Sequence, residues 1–196
     1  RRRRRRRKKK AGPSFAQRRR GLAMDADRVP CCFLVPEDVA GVVAGSGPQA
    51  SGACVEVLPD EETPPVLSDR IVSVFGGPAQ QEAECKRIVQ IVHRSQEVAE
   101  GAVGIFVMLV PAASTGYIVG PKGATISALV DGSGAEVSIS RAPVAGTELQ
   151  PVSVTGDLSQ TVDAACRLTG LLQELAARGR LDAELWQPRP PLAAAG

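Results

Sequence analysis

The second half of the chain begins with apolar and polar positions typical of a strand followed by a short helix. Ile105–Val110 is a continuous apolar run that ends at a proline, which favours a buried strand. Ser114 or Thr115 is placed to cap the helix that follows. Gly120 is placed to end it, because glycine tolerates the positive φ common just after a helix.

A second helix is predicted over Thr125–Val130, where Ile126 and Leu129 fall on one face. Gly132 and Gly134 are expected to break it. Three residues of spacing between apolar positions, followed by two glycines, favour a short helix that packs by one face only.

The remaining pattern predicts two strands and a long helix. Glu136–Ser140 alternates as a strand with Val137 and Ile139 on one side. Further elements follow in the order loop Ala142–Gln150, strand Val152–Thr155 and amphipathic helix Leu158–Ala177. The order strand, helix, helix, strand, strand, helix predicts an α+β fold with an open antiparallel sheet covered on one face by helices.

The first half of the chain repeats this order in a weaker form. PEDVAGVVAG at 36–45 aligns with PAASTGYIVG at 111–120, and GACVEV at 52–57 aligns with GAEVSI at 134–139 once seven residues missing from the first copy are allowed for. IVSVFG at 71–76 matches PVSVTG at 151–156, and each is followed by a helical stretch with a Cys-basic pair, Cys85-Lys86 and Cys166-Arg167. We therefore predict two copies of one unit of about 70 residues.

The charge is divided between a basic arm and an acidic body. Thirteen of the 24 basic residues lie in the first twenty positions, and acidic residues exceed basic ones in the remainder. The arm is expected to be disordered and to serve as a nuclear-localisation or polyanion-binding segment. An alternative stays open, since the chain does not begin with Met and Met24 lies just before the first apolar segment: residues 1–23 could be translated upstream sequence or the end of a truncated longer chain.

Cysteine and histidine usage argues against metal, disulfide and catalytic sites. The five cysteines form no C-x-x-C pair and only one histidine, His93, accompanies them, so we expect buried thiols in a reducing compartment and no cofactor. His93 lies in a charged helical stretch without a recognisable nucleophile or carboxylate constellation, so an enzyme is not expected. No run of eighteen apolar residues predicts a membrane span, and we expect a soluble protein of the nucleus or cytoplasm.

The loop Gly120-Pro121-Lys122-Gly123 lies between the two short helices. Its lysine is not followed by Ser or Thr, so it is not a P-loop, and a helix rather than a strand precedes it, which excludes a dinucleotide fingerprint. A plain helix cap would need only one glycine. Two glycines leave the backbone open to a sugar-phosphate chain, with Lys122 and the helix N-terminus at Ala124 available to phosphates.

With these residues the chain resembles the eukaryotic type I KH domain, as found in poly(C)-binding and Nova-like proteins. The matching positions are Ile118-Val119, the loop 120–123, Ile126, Leu129, Gly134-Ala135, Val137 and Ile139. The resemblance covers Gly104 to Gly179. It implies tandem β-α-α-β-β-α units, each a three-stranded antiparallel sheet covered on one face by helices.

The expected organisation follows from this resemblance and from the repeat. Its parts are a disordered basic arm at 1–27, a degenerate KH-like domain at 28–95, a linker at 96–103, a KH domain at 104–180 and a disordered Pro/Ala-rich tail at 181–196.

The resemblance implies single-stranded RNA, or single-stranded DNA, as the partner, with about four nucleotides held in a narrow groove. The expected contact residues are Tyr117, Ile118, Val119, Gly120, Pro121, Lys122, Gly123, Ala124, Thr125, Ile126, Val137, Ile139 and Arg141. The aliphatic members would form a floor for the bases or belong to the core. Core is the better interpretation for Leu129 and Val137. Arg141 would contact a base or phosphate, or be a solvated loop cation.

The first copy departs from the family pattern. Gly45-Ser46-Gly47-Pro48 stands in place of the loop, without a basic residue or a closing glycine, and the seven missing residues would form the following helix. It is expected to bind nucleic acid poorly and could contact protein partners. The favoured function is RNA binding in mRNA regulation, such as splicing, stability or translation. The alternative is a protein-interaction or dimerisation module.

The preferred RNA sequence stays open. Poly(C)-binding relatives carry an arginine where Glu136 stands, and a glutamate there could accept a hydrogen bond from a cytosine amino group or face solvent.

Overall fold

The computed structural model describes residues 29–45, 51–96, 101–181 and 183–186. Predictions for the basic arm, for Ser46–Pro48, for the centre of the linker and for most of the tail lie outside these residues. The strands are β1 (Cys31–Val35), β2 (Cys54–Val57), β3 (Arg70–Phe75), β4 (Gly104–Pro111), β5 (Glu136–Ile139) and β6 (Leu149–Gly156). The helices are α1 (Glu37–Gly45), α2 (Pro78–Ser95), α3 (Thr115–Val119), α4 (Ala124–Ser133) and α5 (Leu158–Ala177).

The six strands form one antiparallel sheet in the order β2-β3-β1-β4-β6-β5. The α+β class is confirmed, but the expected pair of separate three-stranded sheets is not what forms. β1 pairs antiparallel with β4, with Phe33 opposite Met108 and Leu34 opposite Val107. Both strands would otherwise present unpaired backbone groups at an edge, so their pairing merges the two halves into a single sheet.

One face of the sheet packs against the long helices. Side chains alternate along each strand, so Phe33, Phe106 and Met108 share this face, and all three are buried. The rings of Phe33 and Phe106 lie 5.3 Å apart at an interplanar angle of 42°. This tilted aromatic pair lies where the two halves meet and adds to the stabilisation from apolar burial.

A buried polar network joins α2 and α5 above the same face. Gln81 of α2 accepts a hydrogen bond from the Cys31 thiol at 2.9 Å and donates one to the Val29 carbonyl at 2.8 Å. Gln173 of α5 donates to the same carbonyl at 3.0 Å and to the side-chain oxygen of Gln81 at 2.5 Å. Because an unpaired buried amide is costly, the network favours one alignment of the two helices.

Side chains on the opposite face of the central strands are buried as well. Ile71, Leu109 and Leu149 of this face are buried, and so is Trp186 in the short 3-10 turn Ala183–Trp186, which packs against β4. Leu181 and Trp186, which follow α5 in the chain, are therefore part of the buried apolar set.

The element boundaries differ from expectation mainly around α3 and α4. Ser114 and Thr115 do not cap α3, because their hydroxyls donate to the Pro111 and Ala112 carbonyls at 2.7 and 2.8 Å. α4 continues through Gly132 and ends at Gly134, which takes φ 72°. By contrast, α5 has the predicted bounds.

The N-terminus of α5 is fixed by reciprocal side-chain bonds. Asp157 accepts from the Gln160 amide at 2.9 Å, and Gln160 accepts from the Asp157 amide at 3.0 Å. Gln80 accepts from the Gly77 amide at 2.7 Å in the same way at the start of α2. The two long helices therefore begin with an equivalent glutamine contact.

A second contact recurs where β2 and β5 begin. The Ala53 amide donates to the Ser51 hydroxyl, and the Ala135 amide donates to the Ser133 hydroxyl, at 3.2 Å in both. The glycine between each pair takes a positive φ, 73° at Gly52 and 72° in the second half. The two halves thus share local geometry, and the described elements of the first half follow the order of the second without a counterpart of α4.

The Phe106 ring tests how far stability depends on the central strand pair. Replacing this residue, which is 2% exposed, with alanine should lower the free energy of unfolding by about 3–5 kcal/mol, because contacts are lost and a cavity remains. Ile105→Ala is the matched control, since its neighbouring side chain is 55% exposed and should change stability by about 0.5 kcal/mol or less. Urea denaturation followed by circular dichroism measures both, and equal losses would contradict the buried position of Phe106.

Candidate nucleic-acid interface

The loop between α3 and α4 requires glycine at its first position. Gly120 takes φ 71° and ψ 176°, which side-chain-bearing residues rarely adopt. A Cβ atom there would overlap the Thr125 hydroxyl and lie 2.9 Å from the Thr125 backbone nitrogen. Conformation and packing therefore both exclude larger residues at this position.

The loop then passes through two left-handed residues. Lys122 takes φ 52° and ψ 26°, and Gly123 takes φ 81° and ψ 8°. Lys122 is the one residue other than glycine with positive φ among the described residues. Such a conformation costs an L-residue roughly 1–2 kcal/mol. The loop thus holds its lysine in a strained and exposed position.

Space is open beside the second glycine. A Cβ atom at Gly123 would meet no atom within 4 Å, although φ alone restricts substitution there. The backbone of the loop is accordingly unshielded on this side. An extended chain can approach it more closely than it could approach a loop carrying side chains.

α4 begins directly after the loop, and its first turn faces the same region. No side chain caps the helix at Gly123, and the Ala124 amide donates to the Pro121 carbonyl. The other amides of the first turn have no partner within the helix, and the aligned peptide dipoles add a partial positive charge there. This end of α4 favours an anion, and Lys122 adds a full positive charge.

β5 forms the edge of the sheet next to this helical pair. It pairs only with β6, Val137 opposite Val154 and Ile139 opposite Val152. Its burial alternates as predicted, with Glu136 and Ser138 exposed and the two apolar residues half-buried. β5 therefore presents a mixed apolar and polar strip at the sheet edge.

The segment between β5 and β6 is held closed by its own hydrogen bonds. Val144 is buried, and its amide donates to the Leu149 carbonyl at 2.8 Å. The Thr147 hydroxyl donates to the Val144 carbonyl at 2.9 Å. At the start of the segment, the Gln150 side chain donates to the Ser140 carbonyl, next to the exposed Arg141.

Two basic side chains of this region are available to a ligand. Of the three basic residues between 105 and 169, Arg167 pairs with Asp163 at 2.7 Å. Within the part of the chain that the structure describes, Lys122 and Arg141 form no ion pair. Binding a phosphate would therefore break no salt bridge.

The structure separates the expected contact residues by exposure. Tyr117 is 44% exposed and Val119 38%, whereas Ile118 is 0% exposed and belongs to the core. Of the two interpretations of Ile118, a base-binding floor or the core, this burial favours the core. α3 is only five residues long, so one of its apolar positions must face inward to anchor it.

The remaining expected residues lie at or near the surface. Pro121, Lys122, Ala124 and Arg141 are exposed, and Gly120, Gly123, Thr125, Ile126, Val137 and Ile139 are partly exposed. Leu129 is buried, as expected for a core residue. Sequence reasoning missed Gln150, whose bond to the Ser140 carbonyl depends on the loop closing back on itself and leaves no local signal.

Comparison with known families agrees with this geometry. Residues 105–169, about a third of the chain, match the family model described as KH domain. These residues form a KH domain. The order β4-α3-α4-β5-β6-α5 fits the type I arrangement. Searching the curated proteins gave no match for the chain.

The match to the KH domain suggests single-stranded nucleic-acid binding for residues 105–169. KH domains bind single-stranded nucleic acid through the G-x-x-G loop, and they usually lack catalytic activity. The described residues contain no helix long and apolar enough to cross a membrane, and no cluster of three or more metal-ligating side chains.

The two glycines of the KH loop should differ in their tolerance of alanine. Gly123→Ala should cost about 1–2 kcal/mol of unfolding free energy, because only the left-handed conformation opposes it. Gly120→Ala should cost more, since the new methyl group also collides with Thr125. Chemical denaturation of the two variants in parallel measures the difference, and a Gly123 variant as unstable as the Gly120 variant would contradict the open space observed beside Gly123.

Proposed function

We propose that this protein binds single-stranded RNA and holds about four nucleotides through the loop Gly120-Pro121-Lys122-Gly123. The observation that carries the proposal is the combination found in this loop. Its backbone is open at Gly123, its lysine has no ion-pair partner among the described residues, and it leads into the positive end of α4.

The bases would lie on the apolar strip between α3 and β5. Val119, Ile126 and Ile139 offer aliphatic surface, and Tyr117 offers an exposed ring. Few aromatic residues are present in the chain, so base contact would depend on van der Waals packing more than on stacking. Arg141 and Glu136, both exposed, are placed to contact phosphates or base edges from the strand side.

The first half is proposed to be a degenerate KH-like unit that supports the fold without binding RNA. Its element order and its Ser-Gly-Ala and glutamine contacts match those of the KH domain. Only residues 46–53 separate α1 from β2. This segment is too short to hold counterparts of both the loop 120–123 and α4. Residues 28–95 would thus be a scaffold, joined by a linker at 96–103 to a KH domain at 104–180.

Charge in the first half also disfavours phosphate. Glu84 is buried, accepts from the Ser51 hydroxyl at 2.7 Å and pairs with Arg87 at 2.7 Å. Arg87 in turn donates to the Val43 carbonyl at the end of α1, at 2.9 Å. This arginine ties α1 to α2, and its charge is already matched by Glu84.

A second candidate function is a protein-interaction or dimerisation module with weak or no nucleic-acid binding. The acidic excess beyond the basic arm favours it, because a negative body repels phosphate over distances near the Debye length. The proposed role in mRNA regulation, within the nucleus or cytoplasm, depends on the first candidate.

A double substitution in the loop separates the two candidates. Pro121→Asp with Lys122→Asp places two carboxylates where the phosphates would lie, so the affinity for a random-sequence single-stranded RNA pool should fall by more than about tenfold. Both positions are exposed, and aspartate tolerates the left-handed conformation of residue 122, so the melting temperature should change little. Fluorescence anisotropy and a melting curve on the same sample measure both.

The matched control carries the same change of net charge away from the loop. Ala177→Asp with Arg180→Asp alters exposed residues at the end of α5 and should leave affinity within about twofold. Unchanged melting together with unchanged RNA affinity in the loop variant would exclude the loop as the clamp and favour the protein-interaction candidate.

Deleting residues 1–20 should weaken binding without changing its selectivity. Thirteen cations in this segment would contact phosphates regardless of base, so their removal should flatten the dependence of affinity on salt. When a set of RNA sequences is titrated at two salt concentrations, the truncated chain should rank their affinities in the same order as the full chain. A reordered ranking would mean that the basic arm reads bases.

A further inference from the structure

Two cysteines at equivalent places in the repeat lie on the two long helices, which pack against each other. Cys85 of α2 is fully buried, and Cys166 of α5 is half-buried. The Thr169 hydroxyl, one turn after Cys166 on the same helix, lies 4.0 Å from the Cys85 sulfur, to which it donates. Cys85 therefore packs against the turn of α5 that begins with Cys166.

Solvent reaches Cys166 through an open groove between the same helices. The groove has a volume of about 520 Å³, and its lining includes Lys86, Gln90, Val162, Asp163 and Cys166. Lys86, which follows Cys85 directly, thus shares a groove with the Cys166 thiol. A small solute could enter from the Cys166 side, while Cys85 lies beneath.

The surroundings of the cysteines favour ionisation at Cys166. Hydrogen bonding with Cys85 and then the Lys86 ammonium, which also pairs with Glu82, lower the pKa of Cys166. Burial and the Glu82 and Asp163 carboxylates oppose this effect. The pKa of Cys85 is raised by hydrogen bonding with Cys166 and by burial. Burial also raises the pKa of Cys54, and it raises the pKa of Cys31 to about 12. Since the thiolate is the nucleophile and Cys166 also lines the open groove, we expect Cys166 to react before the other three.

We propose that Cys166 is a thiol modification site for low-molecular-weight disulfides such as glutathione disulfide, and that Cys85 resolves the adduct into an intrachain disulfide between α2 and α5. The proposal is independent of RNA binding. It rests on the juxtaposition of the two thiols and on the groove that opens onto one of them.

The reaction balances in two exchange steps. The Cys166 thiolate attacks one sulfur of glutathione disulfide, forms a mixed disulfide and expels one glutathione thiolate. The Cys85 sulfur then attacks Cys166 Sγ, expels the second glutathione as a thiolate, and the Cys85 proton passes to it. Two protein thiols are oxidised to one disulfide, and one glutathione disulfide is reduced to two glutathione molecules.

The product would bind the two halves of the chain covalently. The halves meet along β1 and β4 and along α2 and α5, and the bond would close a long loop through both. A cross-link over such a separation restricts the unfolded chain, so the oxidised protein should unfold at a higher temperature.

The test uses the full chain, reduced and then incubated with glutathione disulfide at neutral pH. Intact mass and non-reducing peptide maps should show the loss of two hydrogen atoms and a linked pair of peptides containing Cys85 and Cys166. The melting temperature should rise by several degrees and return on adding dithiothreitol. Cys54→Ser, a half-buried thiol outside this pair, is the control and should behave as the wild type.

Two variants separate the steps. Cys85→Ser should stop at a stable glutathione adduct on Cys166, and Cys166→Ser should leave Cys85 unmodified. A lasting adduct on Cys166 in the wild type, faster modification of Cys54, or a disulfide that includes Cys31 would each overturn the proposal. Cys166 is half-buried at the surface, so Cys166→Ser removes no core packing. If the Cys85→Ser variant fails to fold because Cys85 is buried, the Cys166→Ser variant still tests the proposal.

Discussion

The pairing of β1 with β4 supports the rest of this structure. It sets Phe33 opposite Met108 and joins two groups of three strands into one sheet. Once the strands are paired, their shared face needs continuous cover, which α2 and α5 provide side by side. The buried amide of Gln81 then fixes how these helices align, because it could not be left unpaired without a desolvation cost and the half-buried Gln173 is one of its partners.

This arrangement determines where a ligand can bind. β4 lies inside the sheet, so the KH domain has one free edge, at β5. The loop with Lys122 is held on the helical side by the buried Ile118 of α3 and by the close approach of Gly120 to Thr125. The strain at Lys122 persists because these neighbours fix the backbone on both sides of it.

The two halves share a fold pattern but differ in charge and in length at the loop. Ser51 and Ser133 make the same contact at the start of equivalent strands, yet only the second half places a basic residue between two glycines. Where the first half is shorter, its α1 is tied to α2 through Arg87. The packing surface that joins the halves is thus retained in both, and the loop with a lysine between two glycines belongs to the second half.

The sequence by itself determined the local features. Periodicity located α5 to the residue, alternation identified β5, and the spacing of glycines around Lys122 indicated a loop open to a phosphate chain, because each signal lies within a few residues. Tertiary structure decided what depends on distant partners. Examples are the pairing of β1 with β4, the burial of Ile118, the packing of the Trp186 turn on β4 and the contact of Cys85 with Thr169. Each joins residues far apart in the chain, and no local pattern records which side chain will contact which neighbour.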